Sequence, residues 1–211
     1  MIHLLKKAKW IFLAMLTIYI LSFGAGFISG KLNITTWNRL GNSKVFKFNR
    51  NLEYHVPLYG DLLQSYRDWY RKIRTRVLFE RDYTKTRLLI FMNNFVFANI
   101  TMALRAALVF PMIFYPMGRF FQGVLMSEGT MIQQFWILIV LEFGGYFITI
   151  CATLCLIFWI LFYRRFGFSS RKKALINGVK FFGIMYLISG IAIAIGSYLE
   201  VSLIMKMLGG S

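Results

Sequence analysis

The strongest constraint on the fold is the segment from Phe135 to Tyr163, which runs for 29 residues with one charged side chain, Glu142. A stretch of this length crosses a bilayer as a helix, because about 20 apolar residues span the hydrocarbon core. A charge in the middle of such a helix costs about 2.5–3.5 kcal/mol on insertion scales, so it faces protein, water or a partner charge. The segment therefore predicts a membrane helix packed in a bundle, with Glu142 facing inward.

The whole composition is that of an integral membrane protein. Of the 211 residues, 58% are hydrophobic, and the mean hydropathy is +0.59. The net charge of +17 comes from basic residues at helix ends and in loops, which favours contact with anionic lipid headgroups over nucleic acid. The only histidines, His3 and His55, lie outside the apolar stretches, and Cys151 and Cys155 lie four apart on one helix, where they cannot form a disulfide. We expect no metal site and no cofactor.

The hydropathy pattern predicts an all-α bundle of about five transmembrane helices. Residues 1–30 hold the first span, which follows a lysine-rich start and is expected to be retained, not cleaved as a signal peptide. Residues 31–87 form a polar loop, and residues 88–211 form a four-helix transmembrane domain. The 39 residues from Leu88 to Met126 are broken by Pro111 and Pro116, which predicts two spans joined by a tight turn. The last span is predicted from Phe181 to Met205.

Basic residues set the expected orientation. The hairpin from Arg164 to Lys180 carries six basic residues and no acidic one. Both this hairpin and the lysine-rich N-terminus are expected to be cytoplasmic. Five crossings satisfy both expectations, whereas four would place one of the two outside.

The loop after the first span contains a predicted basic amphipathic helix. Asp61 is expected to cap it, and an apolar face recurs at steps of three or four residues through Leu62, Tyr66, Trp69, Ile73 and Val77. Two placements are open: the helix lies on a headgroup surface, or it packs on the bundle before the next span.

A few polar and small residues inside the spans are the candidate functional residues. Carboxyls and their candidate partners form a predicted intramembrane polar network of Asn93, Asn94, Arg105, Glu142 and Glu200, with Asn99 as a further donor. Small residues predicted to allow close helix packing are Gly26, Gly145, Gly190 and Gly196. Two interpretations of the glutamates are open: a hydrogen-bonded structural tie, or a role in proton coupling, ion passage or a partner contact. Arg105 has a further explanation, since it can also reach headgroups.

The order of these residues resembles the stage II sporulation protein M family. The resemblance lies in Ile90 to Asn94 opening a span, Gly118 and Gly123 in the following span, Leu141-Glu142 in the next and Tyr198-Leu199-Glu200 in the last. It covers roughly Arg87 to Met205. In place of the Pro-His-Gly element that precedes the fourth-span glutamate in the family, this chain has Ile137 to Leu141.

The resemblance implies a multi-pass protein of a prokaryotic cell membrane without enzymatic activity. The absence of G-x-S-x-G, Walker, H-E-x-x-H and C-x-x-C motifs also argues against catalysis. We expect a subunit that scaffolds or stabilises a membrane-associated complex, as a homo- or hetero-oligomer with other membrane proteins. The alternative is a transporter, a permease accessory subunit or a lipid-translocating protein that uses its intramembrane glutamates.

Overall fold

The computed structural model describes residues 1–31, 59–108 and 132–207, and these residues form helices without strands. The all-α prediction is therefore confirmed for this part of the chain. In chain order the elements are α1 (Ile2–Lys31), α2 (Tyr59–Phe79), α3 (Tyr83–Met92), a π-helical segment (Asn93–Ala98), α4 (Asn99–Leu108), α5 (Ile132–Leu161) and α6 (Arg171–Met207).

Three helices are long and apolar enough to cross a membrane. The qualifying stretches are Ile2–Ala25 in α1, Val140–Leu161 in α5 and Arg171–Lys206 in α6. They overlap the first, fourth and fifth predicted spans, although the stretch in α6 begins ten residues before the predicted Phe181. The second predicted span falls in α3, the π-helical segment and α4, which follow one another without a break. Pro111, Pro116 and the predicted third span lie outside the described residues, so the count of five spans stays a prediction.

The hairpin between α5 and α6 is shorter than the sequence suggested. The turn occupies residues 162–170, and α6 begins at Arg171, so more than half of the predicted basic hairpin is helical. Ser170 ends the turn as an N-cap, because its Oγ accepts a hydrogen bond of 3.2 Å from the Lys173 N–H. Gly167 has a φ of +68°, a left-handed conformation that favours glycine.

The N-terminus and this hairpin lie at the same end of the bundle. The Lys7 ammonium donates a hydrogen bond to the Phe166 carbonyl and lies 4.2 Å from the centroid of the Phe168 ring. The charge pattern requires both basic segments to share one side of the membrane, and this contact is compatible with that requirement. The identity of that side as the cytoplasm stays a prediction.

The helices α2 and α3 form an antiparallel helical hairpin. Asp82 caps α3 by accepting a 2.9 Å hydrogen bond from the Lys85 N–H, and its carboxylate lies 2.8 Å from Lys85 Nζ. The hydrogen bond and the charge of Lys85 lower the pKa of Asp82. Away from the turn, the Tyr66 ring stacks on Phe97, and close to the turn Leu78 packs on the apolar cluster around Ile90. The basic helix therefore packs on the bundle.

One detail predicted for this basic helix is wrong. The helix begins at Tyr59, so Asp61 lies in its first turn and is not the N-cap. Leu62 and Trp69 belong to the predicted apolar face and are 65% and 51% exposed, whereas Val77 of the same face is 7% exposed. Tyr66, also on this face, contacts the π-helical segment through Phe97 and Asn93.

The apolar core lies where α1, α5 and α6 meet near the hairpin. The Trp159 ring is fully buried and packs on Phe181 at 5.1 Å and on Phe168 at 5.4 Å between centroids. Cys151 and Cys155 are also buried in this core, as free thiols. The polar residues described next lie at the opposite end of the bundle from this core.

Candidate intramembrane polar site

The site begins with a widened helical turn. In an α-helix Asn94 and Asn99, five residues apart, would point about 140° away from each other. In the π-helical segment the Asn99 N–H bonds to the Asn94 carbonyl, five residues back, which brings the two side chains toward the same face. Such segments occur frequently at functional sites. Here the turn directs two amides toward α5 and α6.

Asn94 connects this segment to the acidic residues of both long helices. Its Nδ2 donates a 2.8 Å hydrogen bond to Oε1 of Glu142. The Glu200 side chain lies within hydrogen-bonding reach of both Glu142 and Asn94. A hydrogen bond between two carboxyl groups requires a proton on one of them, and two carboxylates in contact do not both ionise readily. The pair can therefore hold one shared proton.

The hydrogen bonds continue from the acidic pair to the basic helix α2. Asn93 Nδ2 donates to Asn94 Oδ1 at 2.9 Å, and the Tyr66 hydroxyl donates to Asn93 Oδ1 at 3.3 Å. Every group donates in the same direction, from Tyr66 through the two amides to Glu142. Aligned hydrogen bonds of this kind polarise one another, which strengthens each of them.

Two tyrosines of α2 form the outer part of the site. Burial, together with a smaller contribution from the neighbouring Tyr70, raises the pKa of Tyr66 to about 12. Burial also raises the pKa of Tyr70, against the opposing effect of the Arg74 charge and with smaller contributions from Glu200 and Glu142. Tyr70 and Arg74 thus lie close enough to the carboxyl pair to sense it electrostatically.

Glycines let α5 and α6 approach each other at this level. A Cβ on Gly196 would lie 2.7 Å from Cγ of Glu142, and a Cβ on Gly145 would lie 2.8 Å from Cγ1 of Ile193. On the other face of α6, a Cβ on Gly190 would lie 2.6 Å from the Phe95 ring. The absent side chains therefore allow the close packing that holds Glu142 against α6.

Other buried polar groups near the carboxyl pair are one hydrogen bond and three oxygens that have no hydrogen-bond partner within the described residues. Asn99 Nδ2 donates to the Ser189 hydroxyl at 2.9 Å, joining α4 to α6. Three buried oxygens have no hydrogen-bond partner within the described ranges: Asn99 Oδ1, Thr149 Oγ1 and Ser197 Oγ. In hydrocarbon an unsatisfied polar group costs several kcal/mol. Each of these oxygens can therefore accept a hydrogen bond from a further donor.

The structure brings together four of the five predicted network residues, namely Asn93, Asn94, Glu142 and Glu200. Arg105 lies in α4, and Gly26 lies in α1, but the surroundings of both fall outside the described residues. Sequence reasoning assigned no polar role to Tyr66, Tyr70 or Arg74. Their spacing of four residues along one face of α2 was the available signal.

Comparison of the chain with protein-family models, with curated proteins and with solved structures gave no match.

Proposed function

We propose that this chain is a non-enzymatic integral membrane subunit that scaffolds or stabilises a membrane-associated complex. The observation that supports this most is the attachment of α2 to the bundle. Tyr66 bonds to Asn93 and stacks on Phe97, and Leu78 packs beside Ile90. A polar helix held at both ends of its packed face is a fixed surface for another protein.

The outward side of α2 has the composition of a contact surface. Leu62 and Trp69, seven residues apart, lie on one side of the helix and are both more than half exposed. Lys72 and Arg76 flank them at helical spacing. Exposed apolar side chains rimmed by charges, on a helix that is not a candidate membrane span, are typical of protein interaction sites.

Site-specific photo-crosslinking in native membranes tests this proposal. A photoreactive residue at Trp69 is expected to form a defined protein adduct, either with a second copy or with another membrane protein. The matched control is Gln64, which is also exposed on α2 but points to another side of the helix. A chain that purifies only as a monomer in mild detergent, with no adduct from position 69, would contradict the proposal.

A second function, proton-linked or ion-linked transport, is supported by one specific observation. Glu142 and Glu200 lie within hydrogen-bonding distance of each other. Two buried oxygens without a partner among the described residues lie on the same helices: Thr149 Oγ1, seven residues after Glu142, and Ser197 Oγ, three residues before Glu200. A file of waters or ions between α5 and α6 would satisfy these oxygens. The acidic pair would then exchange its proton with that file.

Flux into proteoliposomes tests the transport proposal. Glu142→Gln keeps the shape of the side chain and removes its ability to ionise, so it is expected to abolish proton-driven or cation-driven flux. Glu80→Gln is the matched control, because Glu80 is an exposed glutamate in the α2–α3 turn. Flux that stays at the protein-free background for the wild type, or that is equal in the wild type and Glu142→Gln, removes this function.

A further inference from the structure

The Ser197 hydroxyl is a buried polar group that the hydrogen bonds of the acidic pair leave unused. Ser197 is 1% exposed, and its Oγ has no hydrogen-bond partner within the described ranges. Ser202, on the same helix, instead donates a 2.9 Å hydrogen bond to the Tyr198 carbonyl four residues back, as helical serines commonly do. An unpaired hydroxyl is costly in hydrocarbon, so the Ser197 side chain points to a ligand between the helices.

The contacts of α6 show the direction in which this hydroxyl lies. At about 100° per residue, Ser197 is about 20° around the helix from Gly190 and about 40° from Val201. Gly190 faces the Phe95 ring of the π-helical segment, and Val201 packs on Ile90 of α3. Ser197 therefore lies on the side of α6 that packs on α3 and the π-helical segment.

The acidic pair lies beside this hydroxyl. Glu200 is three residues after Ser197 and about 60° around α6 from it. Glu142 contacts α6 at the residue just before Ser197, since a Cβ on Gly196 would lie 2.7 Å from Glu142 Cγ. Asn94 of the π-helical segment is within hydrogen-bonding reach of both carboxyls. Two carboxyls, an amide and an unpartnered hydroxyl thus converge from α5, α6 and the π-helical segment.

The charges around the pair match a monovalent cation. Glu142 and Glu200 carry two negative charges when both are ionised, and Arg74 of α2 acts on Glu200 with one positive charge. One negative charge is left, which one proton or one monovalent cation balances. The other ionisable groups that act on the pair, within the described residues, are Tyr70 of α2 and Tyr146 of α5, which are uncharged as phenols.

We propose that Glu142, Glu200 and Ser197 bind a monovalent alkali cation such as Na⁺. A proton shared by the two carboxyls leaves the Ser197 oxygen unpaired, whereas a hard cation is held by several oxygen ligands and uses it. Such a cation needs no histidine or cysteine, so the scarcity of these residues does not bear on the site. Binding exchanges one ion for another: Na⁺ enters, and the proton shared by the carboxyls leaves. This cation is the ion of the transport function proposed above, on which the inference rests.

Equilibrium binding of radioactive Na⁺ to the purified chain in detergent, with choline chloride to hold the ionic strength, tests the site without any flux. The wild type is expected to bind Na⁺ saturably, and Glu142→Gln is expected to lose this binding. Ser197→Ala is expected to bind at least about tenfold more weakly, because a contact with a charged group contributes about tenfold or more. Ser202→Ala is the matched control. It removes the same hydroxyl from the same helix, where that hydroxyl bonds to the backbone, and is expected to bind as the wild type does.

Thermal unfolding separates a ligand from a structural hydroxyl. Na⁺ is expected to raise the unfolding midpoint of the wild type and of Ser202→Ala, because a ligand that binds only the folded chain stabilises it. The midpoint of Ser197→Ala should respond much less at the same Na⁺ concentration. In choline alone, Ser197→Ala is expected to be at least as stable as the wild type, since the hydroxyl it removes makes no hydrogen bond within the described residues.

Four outcomes would overturn the proposal. They are absence of saturable Na⁺ binding by the wild type, unchanged binding by Ser197→Ala, equal loss in both serine variants, and displacement of Na⁺ by Mg²⁺ or Ca²⁺ at lower concentrations than by unlabelled Na⁺. The fate of the transport function is read separately. Na⁺ binding without flux in proteoliposomes removes transport and keeps the site, whereas proton flux without Na⁺ binding keeps transport and removes the site.

Discussion

Two adjacent glycines of α5 offer a direct test of the packing that holds the polar site together. A Cβ added at Gly145 would lie 2.8 Å from Ile193 Cγ1 and 3.1 Å from the Ser189 carbonyl oxygen. A Cβ added at Gly144 would meet no atom within 4 Å. The same substitution, Gly→Ala, thus meets a crowded helix interface at one position and open space at the next.

The expected magnitude follows from two opposing terms. Alanine in place of glycine favours a helix by about 0.5–1 kcal/mol, and both variants gain this term. Overpacking a filled interface costs about 1–3 kcal/mol, and only Gly145→Ala incurs it. The Ser189 carbonyl belongs to the backbone of α6, so relief requires the two helices to separate. We expect Gly145→Ala to be less stable than Gly144→Ala by about 1–3 kcal/mol.

The two cysteines provide the assay. Cys151 and Cys155 are the only cysteines of the chain, and neither has measurable exposure. A thiol-reactive fluorescent maleimide therefore labels the protein as it unfolds in detergent, and the labelling midpoint reports thermal stability. At about 2–4 °C per kcal/mol for a chain of this size, the two variants should differ by several degrees.

A midpoint for Gly145→Ala equal to or above that of Gly144→Ala would refute the close packing of α5 on α6 at this level. A further check is Ile193→Ala, which removes the atom nearest to the new methyl group. Combined with Gly145→Ala, it is expected to cost less than the sum of the two single changes, because the second change makes room for the first.

Further predictions concern the same site. Gly196→Ala is expected to displace the Glu142 side chain and to be less stable by about 1–3 kcal/mol than Gly183→Ala, whose Cβ would meet no atom within 4 Å, by the same labelling assay. Asn94→Ala removes a donor to Glu142 and is expected to destabilise the chain by about 1–3 kcal/mol; an unchanged midpoint would show that this hydrogen bond contributes nothing. Because the pKa of Tyr66 is raised to about 12 in the folded chain, its protonated phenol stabilises the fold fully below its ordinary value of 10.0, and this stabilisation is lost as the pH rises through 12. Tyr66→Phe should therefore weaken the decline of stability between these pH values, and an identical decline in both proteins would contradict the assignment.

The sequence predicted the long apolar helices well, because their signal is local. A run of about 20 apolar residues identifies a candidate span without any knowledge of its neighbours, which is how α5 and α6 were located. The boundaries were less accurate where charged residues continue a helix. Arg171 to Lys180 is helical and Ser170 caps its start, although its charges suggested a loop.

Individual polar residues of the site were also visible in the sequence, because Glu142 and Glu200 are costly in an apolar helix. Their partners were not. Asn93, Asn94, Asn99 and Arg105 were all candidate donors, and nothing local distinguishes Asn94 as the donor to Glu142. The choice depends on the π-helical turn, whose Asn99-to-Asn94 hydrogen bond has no sequence signature comparable to a cap.

What the sequence alone determined is that this chain forms apolar helices suited to a membrane, with a few carboxyls that must face inward. The tertiary structure alone decided which groups those carboxyls meet. Asn94 and Glu142 are 48 positions apart, and Tyr66 reaches them through Asn93, from a helix outside the candidate spans. Hydrogen bonds between distant segments depend on how helices rotate and pack against one another, whereas hydropathy depends only on each segment itself.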